Sequence, residues 1–286
     1  LDSIIFNLTC KGAKNIFANL SSPLLMGVVN ATPDSFYDGG KHLDVESAIS
    51  RAHSLIAAGA DIIDIGGESS KPGAIPVTAE EEIERVIPVM KEVVGFGVPV
   101  SVDTKKSAVM EAAIIAGASI VNDITALSGD PRSIDLLKET GIPVILMHMQ
   151  GSPVDMQNKP HYEFAPLDIF EYLRQRIMIC LEAGISKSNL IVDPGIGFGK
   201  NLNHNVAILH RLSIFHGLGV PIAIGVSRKS LIAALSEDGP SEQRLPGSLA
   251  MAIWAYNQAV QILRVHDVAE TKQALEIYKA IVDDNF

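Results

Sequence analysis

Eight short runs of mostly apolar residues recur along the chain, and most are continuous rather than alternating. The runs are LLMGVVN (24–30), DIIDIGGE (61–68), VPVSVDT (98–104), SIVNDIT (119–125), PVILMHM (143–149), LIVDP (190–194), PIAIGVS (221–227) and VQILRVHD (260–267). Strands buried on both faces of a parallel sheet have this pattern. The sequence therefore predicts eight buried strands.

Helical spacing of apolar residues fills the segments between the runs. Asp44 and Thr78 can cap two of these helices, and Glu81 stands where it would complete a capping box with Thr78. Glycines that can end a helix precede four of the strands: Gly59, Gly117, Gly141 and Gly184. Strand and helix alternating eight times predict an α/β fold, a (β/α)8 TIM barrel.

The barrel would account for nearly the whole chain. We expect a single domain over 1–286, in which a short N-terminal β-hairpin (1–22) precedes the barrel (23–286). A length of 286 residues is within the range of one α/β barrel.

Net charge, cysteine spacing and the length of apolar runs exclude some classes of binding partner. The net charge of −10 would repel a nucleic acid. Cys10 and Cys180 have neither metal-binding nor redox spacing, and no apolar run reaches the length of a membrane span. We therefore expect a cytoplasmic protein with reduced thiols that binds small molecules, and neither a nucleic acid nor a membrane.

Polar side chains fall at or near the carboxyl end of every run. They are Asn30, Glu68, Asp103, Asn122 with Asp123, His148, Asp193, Ser227 through Ser230, and Arg264 with His266. In a closed barrel these ends meet at one mouth, where such barrels place their sites. One such residue alone is more often a cap or a strand-end hydrogen bond. All eight together indicate a site, because unpaired polar groups cost stability without a ligand.

The residue types at the mouth indicate two kinds of ligand group. Asp103, Asn122 and Asp193 can read the donor edge of a small heterocycle, such as a 2-amino-4-oxo pyrimidine ring. Cations gather after the last two strands, at the usual phosphate corner of a barrel: Arg228, Lys229, Arg264 and His266. We expect a heterocycle pocket beside an anion pocket.

The glycine-rich stretch LIVDPGIGFGK (190–200) is not a nucleotide-binding loop. Pro194 occupies the place of the first P-loop glycine, and Asn201 follows Lys200 where Ser or Thr is needed. The spacing from Gly195 also fails the dinucleotide fingerprint. Two other loops, NATPDSFYDGG (30–40) and ESSKPGA (68–74), could act as lids.

Taken together, the motifs resemble the bacterial dihydropteroate synthase family over about residues 20 to 284. In order they are MGVVNATPDSFYDGG, DIIDIGGESSKPGA, SVDTKK, IVNDI, LMHMQG, DPGIGFGKN, GVSRKS, GSLA and RVHDV. The resemblance implies condensation of 6-hydroxymethyl-7,8-dihydropterin pyrophosphate with p-aminobenzoate, which gives 7,8-dihydropteroate and pyrophosphate in folate biosynthesis. It also implies a sulfonamide target and a homodimer.

The resemblance also assigns roles to residues. The pterin pocket would contain Asp103, Asn122, Met147, Asp193, Gly225 and Lys229. The p-aminobenzoate pocket would contain Thr32, Pro33, Phe36, Ser70, Pro72, Phe198 and Ser230. Asn30, Arg264 and His266 would bind pyrophosphate, with Mg²⁺ held at Asn30. The catalytic set would be Asp34, Lys229, Arg264 and His266, with Asp34 stabilising a methylene cation after pyrophosphate leaves.

Two features of the second lid depart from the family pattern. Ser70 and Lys71 stand where the family usually has Thr and Arg, so we expect a working lid with altered p-aminobenzoate affinity. Other interpretations stay open: a methyltetrahydrofolate methyltransferase domain, a Schiff-base aldolase using Lys229, or a pterin-binding paralogue without activity. The cations in SRKS and RVHD favour the synthase over the methyltransferase and the aldolase. Intact Asn30, Asp34, Arg264 and His266 count against the inactive paralogue.

Overall fold

The computed structural model describes residues 22–32, 41–236 and 239–282. Apart from its last residue, the predicted hairpin at 1–22 lies outside these ranges, as does most of the first lid. The division of the domain therefore stays a prediction.

Eight parallel strands form the barrel, as the sequence predicts. They are β1 (Leu24–Asn30), β2 (Ile62–Gly66), β3 (Val100–Asp103), β4 (Ile120–Asp123), β5 (Val144–Met147), β6 (Leu190–Asp193), β7 (Ala223–Gly225) and β8 (Ile262–Val265). The strand order is β6-β5-β4-β3-β2-β1-β8-β7. A parallel bridge between Val192 and Ile222 joins the two outer strands and closes the ring.

Helices follow the strands and cover the outside of the ring. They are α1 (Lys41–Ala57), α2 (Ala79–Val94), α3 (Ser107–Ile115), α4 (Arg132–Thr140), α5 (Ala165–Ala183), α6 (Leu202–His210), α7 (Ser230–Leu235), α8 (Leu245–Asn257) and α9 (Val268–Val282). None of the helices in the described part of the chain is long and apolar enough to cross a membrane.

The predicted helix ends are partly confirmed. Thr78 caps α2 by accepting from the Glu81 amide at 3.1 Å, but the Glu81 carboxylate bonds Arg85 in the next turn. The prediction that Asp44 caps a helix is wrong, because α1 already begins at Lys41. The four predicted terminal glycines all have a left-handed backbone, with φ of 97°, 109°, 65° and 101° at Gly59, Gly117, Gly141 and Gly184.

The inside of the barrel is built in two layers. A closed layer of apolar side chains contains one residue from each of seven strands: Met26, Ile62, Ile120, Ile145, Ile191, Ala223 and Ile262. Side chains of a strand point to the same face every second residue. The next inward positions are therefore Val28, Asp64, Asn122, Met147, Asp193, Gly225 and Arg264, and Asp103 follows Ser101 on β3. A floor of apolar side chains thus supports a second level in which five of the eight positions are polar.

We expect the floor to carry a large part of the stability. Ile145→Ala should lower the free energy of unfolding by about 2–5 kcal/mol, because it opens a cavity where Ile145 is 1% exposed. Urea denaturation would measure this. Ile115→Ala, at a position 81% exposed on α3, is the matched control and should leave the midpoint nearly unchanged. Equal effects of the two substitutions would contradict the layered core.

Candidate functional site

The mouth of the barrel contains one pocket that collects most of the predicted site residues. Nine of them line it: Ser70, Asp103, Asn122, Met147, Asp193, Phe198, Gly225, Lys229 and Arg264. Ile124, Gly195 and Ile196 complete the lining. These residues come from seven different strands or the loops after them, so closure of the barrel assembles the pocket.

Arg264 is held at the base of the pocket by two carboxylates. Its Nε donates to Asp64 Oδ2 at 2.6 Å and its Nη2 donates to Asp103 Oδ2 at 2.8 Å. Asp64 Oδ2 also accepts from Asn122 Nδ2 at 3.1 Å. Burial opposes the charge of Arg264, but the carboxylates of Asp64 and Asp103 outweigh burial and raise its pKa. The guanidinium is therefore a fixed cation.

Asp103 titrates in the neutral range. Burial raises the pKa of Asp103 to about 7, although the charge of Arg264 opposes the shift. The nearby carboxylates of Asp64, Glu82 and Asp123 add to it. A second acid of the pocket, Asp193, also has a pKa raised by burial, while its Oδ1 accepts from the Gly195 amide at 2.7 Å.

Lys229 faces these acids and lies against an aromatic ring. Its Nζ is 4.3 Å from the centroid of the Phe198 ring, within the range of a cation–π contact. Burial, followed by the charge of Arg264, lowers the pKa of Lys229 to about 8, and Asp193 and Asp103 oppose the shift. The amine therefore changes charge within one pH unit of the neutral range.

The expected anion corner is less cationic than its residue types suggest. Arg228 forms a two-point ion pair with Asp267, with Nε 3.0 Å from Oδ2. His266 bonds Ser227 Oγ through Nδ1 at 3.1 Å. Burial, with the charges of Arg264 and Arg228, lowers the pKa of His266 to about 4. At neutral pH His266 is uncharged, and Arg228 is neutralised.

Glu68 fixes the ends of the second lid through ion pairs and a backbone hydrogen bond. Its carboxylate pairs with Lys105 at 2.6 Å and with Lys106 at 2.5 Å. The same carboxylate accepts from the Val77 amide at 3.1 Å. One side chain thus joins both ends of the loop that carries Ser70, which faces the pocket. Pro72 lies in the exposed part of this loop.

The remaining predicted site residues lie around the pocket or outside the described ranges. Asn30 is exposed at the end of β1, Thr32 is buried just beyond it, and Ser230 is exposed at the first position of α7. Pro33, Asp34 and Phe36 lie outside the described residues. The roles assigned to all these residues stay predictions.

Sequence reasoning assigned no role to Asp64 and Lys200, which are both buried. Asp64 is 0% exposed and Lys200 is 2% exposed. A signal for Asp64 was present, because a carboxylate in the middle of an apolar strand needs a buried partner. Lys200 gave a weaker signal, since a lysine beside glycines in a loop is normally at the surface.

Comparison with known proteins decides the family. The family described as pterin binding enzymes matches residues 26–266. The dihydropteroate synthase of Escherichia coli (strain K12) is 48% identical over 269 residues, which cover 94% of this chain and 95% of that protein. This chain belongs to the dihydropteroate synthase family. The resemblance seen in the motifs is thereby confirmed.

Solved structures of dihydropteroate synthases have the same fold. The Yersinia pestis dihydropteroate synthase in a sulfonamide drug complex has a TM-score of 0.89 and 44% identity, and the match covers 96% of this chain and 98% of that one. The Xanthomonas albilineans enzyme in complex with 7,8-dihydropteroate has a TM-score of 0.84 and 42% identity, covering 92% and 95% of the two chains. These structures confirm the predicted barrel.

Asp64 should be important for stability as well as for the site. Asp64→Ala leaves Arg264 with one carboxylate instead of two, so we expect a loss of about 3–5 kcal/mol in the free energy of unfolding. Urea denaturation at pH 7.5 would measure it. Glu276→Ala, which removes an exposed acid from α9, serves as the control and should cause no measurable change. An equally small loss of stability in Asp64→Ala would show that the ion pair with Asp103 alone is enough to hold Arg264.

Proposed function

We propose that this chain condenses 6-hydroxymethyl-7,8-dihydropterin pyrophosphate with p-aminobenzoate to form 7,8-dihydropteroate and pyrophosphate. The bond from the pterin methylene carbon to the pyrophosphate oxygen breaks, and a bond from that carbon to the aniline nitrogen forms. The amine loses one proton, so the atoms balance without a protein nucleophile.

One observation carries the proposal: acceptors for a heterocycle, two cations and an aromatic wall meet in one pocket. Asp193, Asn122, Lys229 and Arg264 all line it. Phe198 stands beside Lys229. A binding site for two different flat rings, one rich in N–H donors, needs this combination.

Asp193 is suited to read the pterin edge. A carboxylate can accept two parallel N–H bonds, here from the 2-amino group and N3 of the ring. The ammonium of Lys229 can donate to the ring carbonyl and N5. Arg264 is fixed by Asp64 and Asp103, so it can meet the pyrophosphate without reorganising.

Phe198 and Ser70 would both contact p-aminobenzoate. Both line the pocket, Phe198 from the loop after β6 and Ser70 from the second lid. The sulfonamide found in the Yersinia pestis structure has an aniline ring like that of p-aminobenzoate, and we propose that sulfonamides bind this chain at the same place. Asp34, Phe36 and Pro33 would complete the pocket from the first lid.

Departure of pyrophosphate needs more positive charge than the protein provides. Lys229 and Arg264 supply two positive charges, whereas Asp64, Asp103 and Asp193 supply three negative ones when ionised. His266, whose pKa is lowered to about 4, can donate one hydrogen bond to a phosphate oxygen but adds no charge at pH 7.

This charge balance fits a requirement for Mg²⁺. Within the described ranges, no group of three or more His, Cys, Asp or Glu could hold a metal, so the protein would provide few ligands. That is usual for Mg²⁺, which keeps waters and binds substrate phosphates. The exposed amide oxygen of Asn30 would hold the ion, and the ion would neutralise charge on the leaving pyrophosphate.

We further propose a cytoplasmic homodimer. The last two helices expose apolar side chains: Trp254 on α8, and Ile277 and Ile281 on α9, are 42%, 57% and 73% exposed. Such a group of large apolar side chains favours a protein interface. The buried thiol of Cys180, whose pKa burial raises to about 11, suits a reducing compartment.

Turnover tests the function directly. The protein is mixed with 6-hydroxymethyl-7,8-dihydropterin pyrophosphate, p-aminobenzoate and Mg²⁺, and dihydropteroate and pyrophosphate are followed together. We expect equal, Mg²⁺-dependent release of both. Asp193→Asn should lower kcat/KM for the pterin at least about a hundredfold, because an amide cannot accept both ring N–H groups.

Asp135→Asn, at an exposed position on α4, is the control and should be as active as the unmodified chain. Tight pterin binding without product would favour a binding paralogue. Methyl transfer from methyltetrahydrofolate to a corrinoid protein would favour the methyltransferase. Borohydride trapping at Lys229 would favour the aldolase.

Activity should depend on pH through two groups of the pocket. With Asp103 needed as a carboxylate and Lys229 as an ammonium, kcat/KM for the pterin should fall below about pH 7 and above about pH 8. Lys229→Arg should remove the alkaline limb while lowering activity, because a guanidinium keeps its charge. Asp103→Asn should remove the acid limb. If one limb of the pH profile remains after the matching substitution, that limb belongs to another group or to the substrate.

A further inference from the structure

Lys200 is a buried lysine at the end of the loop after β6, outside the pocket lining. Its side chain is almost completely covered, and its Nζ donates to three neutral acceptors. These are His148 Nδ1 at 2.9 Å, His148 O at 3.2 Å and Phe198 O at 2.8 Å. Burial lowers the pKa of Lys200 well below its usual value, and all of these contacts are hydrogen bonds.

His148 is in the state that these contacts require. Its Nδ1 can accept from Lys200 only if the ring is neutral with its proton on Nε2. Burial and the charge of Lys200 lower the pKa of His148 to about 2, so the ring is neutral. Tyr172 packs edge-on against it, with ring centroids 4.8 Å apart. The acceptor is therefore held in one orientation.

The lysine joins two loops that touch through their backbones. A Cβ at Gly195 would lie 2.0 Å from His148 O, and one at Gly199 would lie 2.3 Å from Gln150 O. Both glycines have positive φ, 69° and 61°. The loop after β6 thus lies directly on the chain after β5, and Lys200 bonds a carbonyl of each.

The contact acts on Phe198 more than on Asp193. Lys200 holds the carbonyl of Phe198, whose ring is the platform under Lys229. Asp193 is fixed independently by the Gly195 amide on its carboxylate, and its carbonyl accepts from the His148 amide at 3.0 Å. Loss of the lysine should therefore move the aromatic wall and leave the heterocycle reader in place.

We propose that Lys200 is a positioning residue for the second substrate: through the Phe198 carbonyl it sets the aromatic wall against which p-aminobenzoate binds. This inference rests on the proposed function, in which Phe198 contacts that ring. Lys200 lies outside the pocket lining, and it reaches Phe198 through a hydrogen bond to the backbone carbonyl.

Steady-state kinetics of Lys200→Met, which keeps the length of the side chain but has no donor, test the proposal. We expect the KM for p-aminobenzoate to rise roughly tenfold to a hundredfold, as for a small misplacement of a binding group. The Kd of the pterin pyrophosphate, measured by calorimetry with Mg²⁺, should change less than about twofold, because Asp193 keeps its own bonds. Lys138→Met, which removes an exposed lysine from α4, is the control.

A double-mutant cycle with Phe198→Leu shows whether Lys200 acts through Phe198. In the Phe198→Leu background, adding Lys200→Met should leave the KM for p-aminobenzoate within about twofold, because coupled residues are not additive. Independent, multiplying effects would overturn the proposal. A lowered Tm with an unchanged KM would also overturn it, since that is the result of a purely structural role.

The proposal remains testable if the first variant does not fold or if the unmodified chain shows no turnover. If Lys200→Met does not fold, Lys200→Gln, which keeps donors on a shorter side chain, takes its place and should raise the same KM by a smaller factor; an unchanged KM overturns the proposal. Absence of turnover in the unmodified chain would overturn the proposed function and this inference together. Turnover with an unchanged KM in the variants would overturn this inference alone.

Discussion

The alternation of side chains along a strand is the constraint on which this molecule depends. Closing eight parallel strands into a ring gives every second side chain an inward position with no escape to solvent. Apolar residues fill one level of that space, so this level is a floor rather than a pore. Polar residues of five strands, among them Asp64, Asn122 and Arg264, then converge at the next level without any loop having to place them.

Charge within that ring is balanced by mutual contact. Burial alone would favour neutral forms of Asp103, Asp193 and Lys229, and it moves the pKa of each in that direction. Arg264 keeps its charge despite burial because two carboxylates bond it directly. The result is a pocket with one permanent cation and several groups that a ligand can shift, which suits a substrate whose own charge changes during the reaction.

Much of this arrangement could be predicted from the sequence. The eight apolar runs contain all eight strands, and polar residues at their ends, such as Asn122 and Asp193, do line one pocket. What could not be predicted is which polar groups satisfy one another. The residue type of Arg228 predicts an anion site, but Asp267 neutralises it. Pairing depends on side-chain directions across the barrel, which periodicity along one strand does not contain.

The bond between Arg264 and Asp64 joins positions 200 residues apart. β1 and β2 can pair as soon as both exist, yet Asp64 then points inward without its counter-ion until the last strand arrives. In a chain that ends before β8, that carboxylate has the Asn122 amide as its side-chain donor but no counter-ion. The last strand thus supplies the charge that balances an acid on the second, so the two ends of the barrel depend on each other through one ion pair.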